Sequence, residues 1–207
     1  MYLLESDCII YKVNKEISLD KCEYILPSEK LEIETKNSKY IKFVFSWIDP
    51  IRAREKIIAK DRNRLTLIYF YNKKIISCFG SSESQIGFVI NKFERILGIK
   101  LEKIDVFNNY KIKIKAELIN LHFFNDNSIN LESEDYTQKL SVKNATEANL
   151  KQIFYQHKIT LLTFKVTDDV RGVSYFYVDR GSVVSFPDLM KEDVAYEILQ
   201  RHFTFLK

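Results

Sequence analysis

The stretch SWIDPIRAREKIIAKDRNR, residues 46–64, carries Arg52, Arg54, Lys56, Lys60, Arg62 and Arg64 against Asp49, Glu55 and Asp61. Four of the chain's eight arginines fall here. A guanidinium is a planar fork that donates two parallel hydrogen bonds to a phosphate, and its face stacks on bases. Cations gathered this way suit a polyanion, and neutralising several phosphates makes binding strongly dependent on salt. Asp49 has the character of an N-cap and Pro50 of a first helical residue, which predicts a helix to about Lys60. On that helix Arg52, Lys56 and Lys60 stand one turn apart on one face. Lys73 and Lys74, in the turn after LTLIYFY, extend the cationic surface, and so do Lys111, Lys113 and Lys115. The plainer account of the same residues is a solvated, charge-rich helix that maintains solubility. No zinc-finger, helix-turn-helix or RNP pattern accompanies them, so any binding is expected to be sequence-nonspecific.

A second constellation has the residue types of a metal-dependent nuclease. Asp20 precedes the strand-like LEIETK (31–36), which holds Glu34 and Lys36. Carboxylates so placed can bind Mg²⁺ while the lysine steadies an attacking water. The same E-x-K spacing arises freely on an exposed strand of a charge-rich chain. The phosphate-cradling glycine motifs, H-E-x-x-H and G-x-S-x-G are all missing. His122, His157 and His202 are far apart and lack a second ligand at metal-site spacing. His202 falls on the apolar face of the last helix, and Cys78 has the setting of a small buried hydrophobe. No catalytic residue, metal or cofactor is expected.

The elements that must position these residues show an echo. YFYNKKIISCF (69–79) returns as YFYVDRGSVVSF (175–186), at an offset of 106 in a chain of 207. The first copy sits in strand 65–71, a turn at 72–74 and strand 75–79. Ser82-Glu83-Ser84-Gln85 then matches a capping box, apolar residues follow from Ile86 to Leu97 at helical spacing, and Gly98 ends the helix. The second copy runs through strand 159–166, strand 173–178 and strand 182–186. Val194, Ala195, Ile198, Leu199 and His202 then mark one helical face. The offset is what tandem duplication would give, although a strand-turn-strand-helix unit is common without shared descent. Tyr69, Tyr71, Tyr175 and Tyr177 alternate with Phe70 and Phe176, either as a stacking platform for bases or as the amphipathic rim of a core.

Elsewhere, KYIKFVFSWI (39–48) has the composition of a strand. YKIKIKAELINLHFF (110–124) alternates like one long strand, with its lysines on one face. NDNSINLESEDYTQ (125–138) is a polar loop or linker, and a helix near 145–156 follows. The expected fold is α+β, with two small lobes at 1–103 and 104–207. Each lobe is an antiparallel sheet, strand-turn-strand followed by a helix, covered by helices. Residues 1–115 hold 22 Lys+Arg against 15 Asp+Glu, and residues 116–207 hold 10 against 13, so the front half is basic and the back half acidic. Hydrophobic residues reach 46%, which excludes wholesale disorder, and five glycines with three prolines argue against a turn-dense sandwich. Three scattered cysteines, no cationic leader and no membrane-length apolar run predict a protein of the reducing cytoplasm with no membrane partner.

The opening LLESDCIIYKVNKEISLDKCEYIL (3–26) resembles the first strand pair of the N-terminal domain in archaeal Argonautes. Chains of about this length also exist as split-off N-terminal halves that pair with short Argonautes. The resemblance implies a non-catalytic lobe that helps to hold a guide–target duplex. Three functional expectations stand together. The first is a non-enzymatic nucleic-acid-binding or accessory subunit that uses residues 52–64. The second is a protein-interaction or regulatory subunit of a larger complex, with Argonaute-partner lobes as the example. The third is a nuclease built on Asp20, Glu34 and Lys36.

Overall fold

The structure, a computed structural model, describes residues 2–3, 5–18, 24–53, 56–124, 137–168 and 172–204, the side chains of 50–60, 124 and 137 excepted. The chain divides into one unit of Glu5–Ile104 and another of Asp105–Thr204 with Tyr2 and Leu3.

In the first unit, runs dense in β-branched and aromatic residues form β1 (Asp7–Val13), β2 (Tyr24–Ile25), β3 (Glu29–Lys36), β4 (Tyr40–Ala53), β5 (Lys56–Phe70), β6 (Ile75–Phe79) and β7 (Leu101–Lys103). They pair antiparallel in the order β2-β3-β4-β5-β6-β1, with β7 also on β1. Register places Ile33, Phe43, Leu67, Cys78 and Ile9 in one row across five strands. The α-helix of this unit among the described residues, α1 (Glu83–Leu97), lies on that face, where Phe93 meets Phe43 edge-on at 5.3 Å. The alternate row also lacks solvent: Ile68, Ser77 and Ile10 are fully buried and Lys42 is 7% exposed. Burial on both faces explains why these strands read as continuous apolar runs and not as strict alternation. Each fully buried aliphatic or phenyl side chain contributes about 1.5–3 kcal/mol.

Helix α1 begins at the expected Ser82 and ends at Gly98, but only the Ser82 half of the capping box forms. Gln85 N–H donates to Ser82 Oγ, and Gly98 closes the helix at φ 61°. The Gln85 amide oxygen accepts from Ser81 Oγ at 2.7 Å.

In the second unit, β8 (Glu117–Phe124), β9 (Thr137–Ser141), β10 (Ile159–Asp168), β11 (Gly172–Asp179) and β12 (Val183–Ser185) pair antiparallel in the order β12-β11-β10-β8-β9. Three α-helices accompany them among the described residues: α2 (Tyr110–Lys113), α3 (Glu147–Gln156) and α4 (Glu192–His202). Phe164 and Phe176 stand opposite on β10 and β11 and stack at 5.1 Å, and Phe203 joins Phe176 at 5.4 Å. Helix α4 buries Ala195, Tyr196, Ile198 and Leu199. Its His202 is half-buried at the margin, with Nδ1 2.8 Å from the Lys115 carbonyl oxygen.

Four expectations change. Two small sheet-plus-helix lobes are not what forms: the described residues are mostly antiparallel sheet, 48% strand against 25% helix, with twelve strands and four α-helices. Residues 50–60 contribute to that excess of strand, because the expected helix is absent and β4 continues to Ala53 before β5 returns from Lys56. Residues 110–124 are not one strand but the short helix α2 followed by β8. Tyr110 and Ile114 are buried while Ile112 is 71% exposed, the pattern of a helical turn, in which i and i+4 share a side and i+2 faces away. The hairpin echo also occupies different places. Tyr71 has left β5 for a 3-10 turn at Tyr71–Lys73, whereas Tyr177 is inside β11. In both places a hairpin, β5–β6 or β11–β12, is followed by a helix, α1 or α4.

Within residues 3–26, β1 pairs with β6 and β7, and β2 pairs with β3. Among the described residues β1 and β2 are therefore not partners of each other. Asp20, Cys22 and most of the polar segment 125–138 lie outside the described residues.

Candidate nucleic-acid interface

The basic stretch is a two-stranded ribbon. Beyond Trp47, which pairs with Glu29, β4 leaves β3 behind, and only the bond from Ile48 N–H to Ser28 O continues that edge. On the other side, β5 pairs with β6 no further than Thr66. From Asp49 opposite Asp61 to Ala53 opposite Lys56, β4 and β5 are partners only of each other among the described residues. In such a ribbon each strand is an edge, which is where a strand tolerates Pro50.

Asp49 does not cap a helix. Its Oδ2 accepts from the Trp47 indole N–H at 2.9 Å and from Asn63 Nδ2 at 3.0 Å. These bonds fix the ribbon root and engage one of the two carboxylates that face each other at Asp49 and Asp61.

Arg52, Lys56 and Lys60 belong to the strands of the ribbon, Arg52 opposite Ile57, Lys56 opposite Ala53 and Lys60 opposite Pro50. Their side chains, and Arg54 altogether, lie outside the described residues. Arg62, opposite Ile48, is exposed. Arg64, opposite Ser46, is exposed too, but its Nη2 reaches Glu34 Oε1 at 2.5 Å. Lys73 and Lys74 fall at the other end of β5, eight residues beyond Arg62 to the strand end at Phe70. At about 3.3 Å per residue that places them more than about 25 Å from Arg62, so they do not extend the ribbon. Lys74 adopts φ 50°, and its Nζ is 3.9 Å from Glu16. Lys111 sits in α2 and bonds Glu147 at 3.1 Å, which removes the three-lysine strand face.

The nuclease constellation fares differently from a metal site. The two oxygens of Glu34 are engaged by Lys42 at 2.8 Å and by Arg64. The Lys42 hydrogen bond above all holds its carboxyl below the usual range. Lys36 is exposed at the end of β3, opposite Ile41. No group of three His, Cys, Asp or Glu among the described residues could hold a metal ion. The histidines are dispersed as well: His157 stacks on Phe123 at 4.2 Å, and His122 Nε2 is 3.3 Å from Thr163 Oγ1. Cys8 and Cys78 are fully buried free thiols, pushed well up by desolvation.

Of the tyrosines, Tyr69 is buried, Tyr175 is 41% exposed and Tyr177 is half-buried, so no continuous tyrosyl platform forms. The features that sequence reasoning missed are the Lys42–Glu34 pair and the Trp47–Asp49–Asn63 knot. One signal for the ribbon was present. The cations recur at 52, 54 and 56 and again at 60, 62 and 64, a period of two, which belongs to a strand.

No helix among the described residues is long and apolar enough to cross a membrane. No protein-family model matches the sequence. No curated protein matches it either.

Proposed function

We propose that this chain is a non-enzymatic nucleic-acid-binding or accessory subunit that meets the phosphate backbone through the β4–β5 ribbon. The observation that carries the reading is the projection of two strands past their neighbours over the very residues that concentrate the chain's arginine. A two-stranded ribbon fits a nucleic-acid groove, and contacts from Arg and Lys to phosphate set position without reading sequence. The dispersal of Lys73, Lys74 and Lys111 leaves the ribbon as the whole of the proposed contact, a few phosphates in extent. Affinity is therefore modest and falls steeply as salt rises.

The test is a fluorescence-anisotropy titration of labelled oligonucleotides at low and moderate salt, with the wild-type chain and the double variant Arg52→Glu, Arg62→Glu. Binding that weakens with salt and is lost in the double variant supports the reading. No binding, or binding the double variant leaves unchanged, ends it.

A further inference from the structure

The ribbon root borders a cleft that shares Arg62 with the proposed phosphate contacts. The turn from Leu26 to Glu29 closes through Leu26 N–H to Glu29 O at 2.7 Å, and the Ser28 carbonyl accepts from Ile48 N–H at 2.9 Å. Between this turn and the root lies a cleft of about 260 Å³, walled by Ile25, Leu26, Pro27, Trp47, Ile48 and Arg62. Ile25 is 71% exposed and Leu26 46% exposed, so two aliphatic side chains stand at its lip in water. The one carboxylate on its wall, Glu29, is bound by Lys92 Nζ at 2.6 Å and does not stand alone against an anion. Arg62 contributes an exposed guanidinium to the same wall.

We propose that this cleft receives one unstacked base of a single-stranded nucleic acid whose phosphates lie along the ribbon; the proposal rests on the ribbon reading above. The apolar part of the wall suits the face of a base, and Ser28, Lys30, Ser46 and Asn63 add polar groups beside it. A cation at the rim suits the phosphate that must follow each base. The cleft and the basic strands are contiguous through Ile48 opposite Arg62, so one strand of nucleic acid can use both. A duplex can fill the cleft only by unstacking and unpairing a base, which costs a few kcal/mol. The consequence is a preference for single strands over duplex.

Trp47 is the chain's sole tryptophan and part of the cleft wall, so its emission reports on occupancy. The experiment titrates the full chain with a labelled thymidine oligonucleotide and with a duplex of the same length, recording anisotropy and Trp47 emission together. Burial of one base against these aliphatic walls is expected to tighten binding of the single strand roughly tenfold, with a change in Trp47 emission that tracks saturation. The variant Ile25→Ser, Leu26→Ser, at exposed positions that leave thermal unfolding unchanged, removes that preference and leaves duplex binding as it was. Equal affinity for both forms with unaltered Trp47 emission overturns the cleft proposal and spares the ribbon. Absence of any anisotropy change overturns the ribbon reading and the cleft with it.

Discussion

Lys42 Nζ lies 2.8 Å from Glu34 Oε2, a nearly buried ammonium held by a carboxylate at the edge of solvent. The two side chains meet although β3 is irregular between Ile33 and Thr35, where Thr35 and not Glu34 stands opposite Lys42. Removing the carboxylate takes a charged partner from an ammonium that is only 7% exposed. Glu34→Gln is expected to cost about 1–2 kcal/mol, below the value for a fully buried pair because Glu34 is partly exposed and screened. The Glu34 carboxyl loses its proton more readily folded than unfolded. Its contribution is therefore present above the ordinary carboxylate pKa and disappears as pH falls through the lowered folded value. Urea melts at neutral and acidic pH check both claims: the gap between wild type and Glu34→Gln narrows in acid. Lys42→Met combined with Glu34→Gln is expected to lose less than the sum of the two single variants, because the two residues form one pair.

Asp49 and Trp47 yield a spectroscopic prediction. Asp49→Ala removes the acceptor of the indole N–H and of the Asn63 amide. A destabilisation of about 1 kcal/mol follows, along with a shift in the emission of the only tryptophan. Far-UV dichroism stays unchanged in its helical signal. A loss of helix there would return Asp49 to the role of a cap.

Gly80 is a packing position. A Cβ built on it would stand 2.8 Å from Leu65 Cδ1 and 2.9 Å from Ile86 Cγ1, closer than carbon atoms approach. Gly80→Val forces β5 and α1 apart and lowers stability by about 1–3 kcal/mol. Gly80→Ala has a smaller effect in the same direction, measured as a lower urea midpoint with unchanged slope.

The ends of α1 give two independent terms. Ser82→Ala removes the acceptor of Gln85 N–H, at about 1 kcal/mol. Gly98→Ala puts a side chain on a residue at φ 61°, at a further cost of about 1 kcal/mol. The sites lie at opposite ends of the helix, so the double variant should lose close to the sum.

These cases separate what was legible in the chain from what was not. The caps of α1 are bonds between residues three or four apart, Gln85 N–H to Ser82 Oγ and Gly98 N–H to Glu94 O, and they stand where the sequence placed them. Strand positions at 65–70, 75–79 and 159–166 follow from local composition in the same way. The failures share a cause. Asp49-Pro50 is a good helix start in isolation, and Arg52, Lys56 and Lys60 suit a helical face as well as they suit a strand. What decides is the return strand, whose pairing runs from Tyr40 opposite Phe70 to Ala53 opposite Lys56. For Tyr110, Ile112 and Ile114 both periods fit the first and last residue, and burial of Tyr110 against Phe154 selects the helical turn.

By itself the sequence determined the helix boundaries at α1, the apolar strands, the basic character of residues 46–64 and the lack of any familiar catalytic motif, because each depends on neighbours along the chain. Only the tertiary structure decided that the basic stretch is a ribbon, that Glu34 belongs to Lys42 and Arg64, and that Ile25, Leu26 and Arg62 border one cleft. Those facts depend on which strand lies beside which, and strand register is set by partners tens of residues away.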